Sequence, residues 1–146
     1  MRLKLSTLFL ILFLSVSSIF AQAKPEWIPI GLTASGKNIQ SGVEAFYQLD
    51  KCNKEHVVFI KFINHNTYEV IVEWYDAVFT KDLKWVNNKN ADLLKSLTIG
   101  VNEAVTGDCS NESQKELVVK VNDFISNVND FNLFRINSFK VSSKNN

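Results

Sequence analysis

The chain has 146 residues, 46% hydrophobic and 21% charged, with 16 Lys and Arg against 15 Asp and Glu. That length suits one domain with enough apolar residues to bury a core without metal or many disulfides. The charges are balanced and interspersed, so nothing offers an electrostatic footprint to nucleic acid or to an anionic membrane surface, and neither is expected as a partner.

In chain order, Arg2 and Lys4 precede an apolar run at residues 5–20, and Ala21-Gln22-Ala23 follows. Charged, apolar and small-residue regions in that order make a secretory signal peptide, with cleavage expected after Ala23. A membrane anchor would need about 20 apolar residues, and this run is shorter and contains Ser6, Ser15, Ser17 and Ser18. Residues 1–23 are therefore read as a signal and residues 24–146 as a single β domain, exported to the periplasm or the exterior with no membrane span after cleavage. Loss of Arg2 and Lys4 takes the 16 basic residues to 14 against 15 acidic ones, a net of −1.

Residues 27–32 read as an edge strand, because Pro29 cannot donate to a central ladder. Residues 35–38 are a turn, and residues 43–49 a second strand with Val43, Ala45, Tyr47 and Leu49 on one face. Glu44, Phe46 and Gln48 take the other face, where Phe46 is the apolar exception. Residues 57–63 and 68–76 are β-branched and aromatic and flank Asn64-His65-Asn66-Thr67, the pattern of a hairpin with a polar tip. In its second arm Val70, Val72 and Trp74 alternate with Glu69, Ile71 and Glu73, which places Trp74 in the core.

Residues 81–92 are polar and Asn-rich with no sustained period, and read as a long surface loop around Trp85. Trp85 has two readings: a plug folded back over the sandwich, as isolated aromatics commonly are, or an exposed ring that grips a ligand. Residues 94–99 and 104–109 are short strands about the turn Gly100-Val101-Asn102-Glu103. Residues 113–128 are ambiguous. Ser113-Gln114-Lys115-Glu116 has the form of a capping box, but Val118, Val119 and Val121 are β-branched and alternate with polar neighbours, and a strand is expected there. A last strand at residues 133–141 and a frayed tail at 142–146 complete the chain.

Seven to eight short strands and no defended helix make an all-β antiparallel sandwich, compatible with an immunoglobulin-like strand order. The antibody type is excluded, because Trp74 lies too far after Cys52 and no Tyr stands two residues before Cys109. In an exported chain the two cysteines, Cys52 and Cys109, are expected to form one disulfide. Closing so long a loop restricts the unfolded chain by about 4 kcal/mol on the chain-entropy model. A catalytic thiol would want a CxxC pair or a supporting His, and only His56 is a candidate.

The stretch Gly42-Val43-Glu44-Ala45-Phe46-Tyr47-Gln48, then Cys52, Lys61-Phe62-Ile63-Asn64-His65-Asn66-Thr67-Tyr68, Val72-Glu73-Trp74 and Gly107-Asp108-Cys109, resembles small exported β-sandwich proteins of uncharacterised function from Bacteroidota. The resemblance implies a β fold and export, and brings no activity with it.

Chemistry at this level is sparse. The histidines are His56, at a strand start, and His65, at a turn, and no catalytic constellation forms around either. Glu69 and Glu73 share an outer strand face as a charged surface. The single Met is lost with the signal and the five glycines are scattered, so neither a metal nor a phosphate-binding cofactor is expected. Two functions remain. The first is a non-catalytic binding or structural module of the cell envelope, acting through loops or a sheet edge on protein or glycan, with Trp85, Asn64, His65 and Asn66 as candidate contacts. The alternative is an inhibitor of exported peptidases that presents residues 64–67 and 81–92 as wedges.

Overall fold

Residues 26–88 and 93–144 are described by the computed structural model; the expected signal peptide and its cleavage site lie outside them. Alternation builds the central strands. In β3 (Val43–Cys52) the odd positions from Val43 to Tyr47 are buried, and in β5 (Val70–Thr80) Val70, Val72, Trp74, Asp76, Val78 and Thr80 point inward. The other strands are β1 (Ile28–Pro29), β2 (Ile39–Gln40), β4 (Glu55–Asn64), β6 (Trp85–Asn87), β7 (Lys95–Ile99), β8 (Ala104–Thr106), β9 (Val118–Lys120) and β10 (Phe131–Ser143). All the pairings are antiparallel.

One flank of β3 is shared by β1 and β2, one flank of β4 by β8 and β9, and one flank of β5 by β6 and β7. Ten strands therefore make seven rows among the described residues, an all-β sandwich as the alternation predicted. The first sheet runs β1/β2, β3, β4, β8/β9, and the second runs β10, β5, β6/β7. This is not the immunoglobulin order, in which the third strand leaves the sheet of the second; here β3 and β4 stay paired over their whole length. Among the described residues none of the three shared rows is one continuous strand. Interrupted edges offer no long run of free backbone groups to a second chain. The remaining edge row, β10, carries a bulge between Asn137 and Lys140 with Ser138 at φ 53.

Two tight hairpins fix the register of the first sheet. Ser41 and Gly42 both have positive φ (48 and 75) between β2 and β3, the two-residue mirror-image turn that matches strand twist. A side chain on Gly42 would also collide with the Asn66 amide. Asn53, at φ 58, turns β3 into β4.

The hairpin expected at residues 57–76 is a different object. β4 belongs to the first sheet and β5 to the second, so the polar tip carries the chain across the sandwich. Two strands that each bury one face look alike whether they pair or pack face to face, so periodicity could not separate the two cases. Residues 100–103 make a second crossing, from β7 in one sheet to β8 in the other. Between the sheets lie Trp74 and Phe62, both without exposed surface, with ring centroids 5.1 Å apart edge to face. Phe62 also stacks on Phe139 at 5.8 Å, and Tyr47 meets Phe134 at 5.8 Å. Phe46, the apolar exception, is covered on the outer face by Lys61, whose ammonium lies 4.7 Å from its ring and 4.5 Å from that of Trp27.

Three further expectations change. The loop at 81–92 contains β6, paired with Ala77–Phe79 of β5. Residues 113–128 are neither one strand nor one helix: a 3-10 turn (Glu112–Leu117), the short β9 and a second 3-10 turn (Val121–Asp123) bury Leu117, Val119, Val121, Phe124 and Ile125. The tail stays in the ladder to Ser143, and Lys144 pairs with Glu69 at 2.8 Å.

Candidate functional site

The outer face of the second sheet is built in rows across β10, β5 and β6. Leu133, Phe79 and Trp85 lie side by side in one row; Arg135, Ala77 and Asn87 make the next. Asn137 and Tyr75 make the third. Among the described residues β6 ends at Asn87 and β7 begins at Lys95, and none of them pairs with Tyr75 or Asp76 on that flank of β5. A cleft of about 280 Å³ opens here, with Tyr75, Asn87, Asn88, Asn137 and Ser138 on its outer side and Asp76 and Lys95 at its inner end. Leu93, 64% exposed, stands at its mouth.

Trp85 is 48% exposed. Its ring is not free to swing: Phe79 lies 4.6 Å away by centroids, and the Arg135 guanidinium reaches diagonally past the small, fully covered Ala77 to sit 5.4 Å over it. Trp85 thus packs on the sheet and still presents about half its surface. Arg135 is exposed and has no carboxylate within ion-pair distance among the described residues.

At the inner end, Asp76 accepts a hydrogen bond from the Trp74 indole at 2.9 Å and pairs with Lys95 at 2.6 Å. Lys95 also donates to the Glu116 carbonyl at 2.8 Å. Burial pushes the Asp76 carboxyl above its ordinary range, and the attraction of Lys95 offsets only part of that. The pair is charge-neutral as a unit, so the bottom of the cleft favours no net charge.

The other sequence candidates are placed elsewhere. Asn64, expected at an exposed tip, is fully buried. Its amide donates to the carbonyls of Tyr68, at 2.9 Å, and Gly100, at 2.8 Å, and its oxygen accepts from the Asn66 backbone at 2.9 Å. A buried amide with this many partners braces the crossings and presents nothing to a ligand. Asn66 is likewise engaged, donating to Ser41 O at 3.0 Å. His65 is exposed and pairs with Glu44 at 3.1 Å. These residues sit at the β4–β5 crossing and are not brought together with Trp85. His56 lies opposite Lys51 near the start of β4, apart from His65. Cys52 and Cys109 form a disulfide across 57 residues.

Sequence reading missed Tyr75, Asn87, Arg135 and Asn137 as a group. The trace they leave is the i, i+2 spacing of Trp85 with Asn87 and of Arg135 with Asn137, which puts each pair on one strand face. Among the described residues no cluster of three or more His, Cys, Asp or Glu could hold a metal, and no helix is long and apolar enough to cross a membrane.

No family model matches the chain, and no curated protein matches it. Among solved structures the chain is similar to a DUF1425 family member from Shewanella sp. pv-4, determined at 1.81 Å resolution. The identity is 8% and the TM-score 0.46, over 72% of this chain and 85% of that one. A likeness of this level does not extend to function, and it does not bear on the Bacteroidota proteins that the strand and turn residues resemble.

Proposed function

We propose that this is an exported, non-catalytic binding module of the cell envelope whose contact surface is the outer face of the second sheet. The observation that carries the reading is Trp85: a half-exposed ring held by Phe79 and Arg135 beside a cleft lined by Tyr75, Asn87 and Asn137. A large aromatic whose orientation is already restricted contributes contact area to a partner at small entropic cost. The partner is a glycan or protein of the envelope. The alternative, a peptidase inhibitor, draws support from one feature, the braced β4–β5 crossing that leaves His65, Thr67 and Tyr68 exposed on a rigid corner.

Recovery of a partner from envelope extract on the tagged protein separates these readings. Trp85→Ala should lose the partner while His56→Ala with His65→Ala keeps it. Loss with the double His variant and retention with Trp85→Ala would overturn the proposed surface. Inhibition of the extract's peptidase activity, lost on changing Tyr68 and Thr67, would favour the alternative.

A further inference from the structure

We infer that the ligand of this face is an acidic saccharide chain, with a sugar ring in the cleft and a carboxylate on Arg135. This rests on the binding reading above and names the chemistry it would serve. The cleft, at about 280 Å³, is at the small end of ligand sites and suits one ring-sized unit of a longer chain. Its outer wall carries the amides of Asn87 and Asn137. An amide side chain donates and accepts at once, and so does each hydroxyl of a sugar. A purely anionic or apolar ligand would leave half of that capacity unused. Tyr75 adds an aromatic surface, which suits the C–H face of a sugar ring.

Charge recognition is displaced from the cleft. Lys95 is neutralised by Asp76 at 2.6 Å, so the ring site itself has no preference for an anion. Arg135, two residues from Asn137 on the same strand face, is about 7 Å along the strand. It is exposed, oriented by the Trp85 ring and without a carboxylate partner among the described residues. A guanidinium fork matches a carboxylate in a bidentate geometry, and its stacking on Trp85 removes part of the ordering cost. From the Trp85 row to Tyr75 is four residues of β5, about 13 Å, which is longer than one sugar unit and calls for a chain.

The test uses the purified protein with three probes: an oligogalacturonate, the same oligomer as its methyl ester, and an oligoglutamate of similar charge. Titration should show the oligouronate binding about tenfold tighter than its ester, the difference one charge-assisted contact makes. Arg135→Gln should abolish that difference, and Arg135→Lys, which keeps the charge, should retain part of it. Asn87→Ala with Asn137→Ala should weaken both saccharides together. Equal binding of acid and ester, no saccharide binding at all, or oligoglutamate binding as tightly as the oligouronate would each overturn the inference. If saccharides fail while recovery from extract still depends on Trp85, the ligand chemistry is wrong and the surface stands. Recovery indifferent to Trp85 overturns the surface itself.

Discussion

The Asn64 side chain donates a 2.8 Å hydrogen bond to the carbonyl of Gly100, and so ties the β4–β5 crossing to the β7–β8 crossing. The Asn64 backbone N–H backs this up by donating to the Glu103 carbonyl at 2.8 Å. Both inter-sheet passages at this end of the sandwich therefore depend on one buried amide. Asn64→Ala leaves buried carbonyls without a donor and should cost about 1–3 kcal/mol. Asn64→Asp should be worse, because a carboxylate cannot donate and is buried beside carbonyl oxygens. Urea unfolding of the three proteins checks the order; equal stability of Asn64→Asp and wild type would contradict it.

Trp74→Ala should cost about 3–5 kcal/mol, as large aromatic truncations in packed cores do. The ring has no exposed surface and packs against Phe62. Trp74→Phe keeps most of the volume but removes the indole donor from Asp76, an expected loss of about 1–2 kcal/mol. Denaturant melts measure both, and a loss under about 1 kcal/mol for the Ala variant would refute the core assignment.

The Cys52–Cys109 disulfide closes a loop across 57 residues. Replacing both cysteines by Ser should lower stability by up to about 4 kcal/mol through the unfolded chain. Intact mass with and without reductant tests the bond itself: reduction should add two hydrogen atoms, and two free thiols before reduction would exclude it.

Stability should respond to pH through Asp76. Burial raises its carboxyl above the ordinary value of 3.8, so the folded protein holds this proton more tightly than the unfolded chain. Its contribution to stability is then largest at low pH and falls as pH rises above about 3.8 through the raised folded value. Asp76→Asn lacks that titration. The stability of wild type relative to Asp76→Asn should decrease as pH is raised across that window, and an increase in chemical-denaturation series would reverse the assignment.

Replacing His56 and His65 by Ala should leave binding nearly intact, because the two lie apart and His65 is engaged with Glu44 at the crossing. Trp85→Ala should reduce partner recovery at least tenfold, the loss expected when an interface anchor is truncated. Fold is preserved in both cases, since the changes are at exposed or half-buried positions; circular dichroism of the variants confirms that before binding is compared.

Period-2 alternation was sufficient to place β3 and β5, and to put Trp74 inside and Tyr47 on one face with Val43 and Ala45. A β-branched and aromatic run marked β4, and a residue count made the two cysteines candidates for pairing, because each of these is a local pattern or a count. Which strand pairs with which was decided by packing: β4 and β5 look like a hairpin in sequence, and only the burial of both inner faces against each other, with Asn64 satisfied at the corner, places them in opposite sheets. The site was still less legible. Trp85 was visible as a lone aromatic, but Arg135 reaches it from the last strand across Ala77 of the central one, and the cleft is lined by residues from β5, β7 and β10 together with Asn87 and Asn88. Contacts between residues some fifty positions apart have no local period to announce them; they arise when three rows align, and that alignment belongs to the tertiary structure.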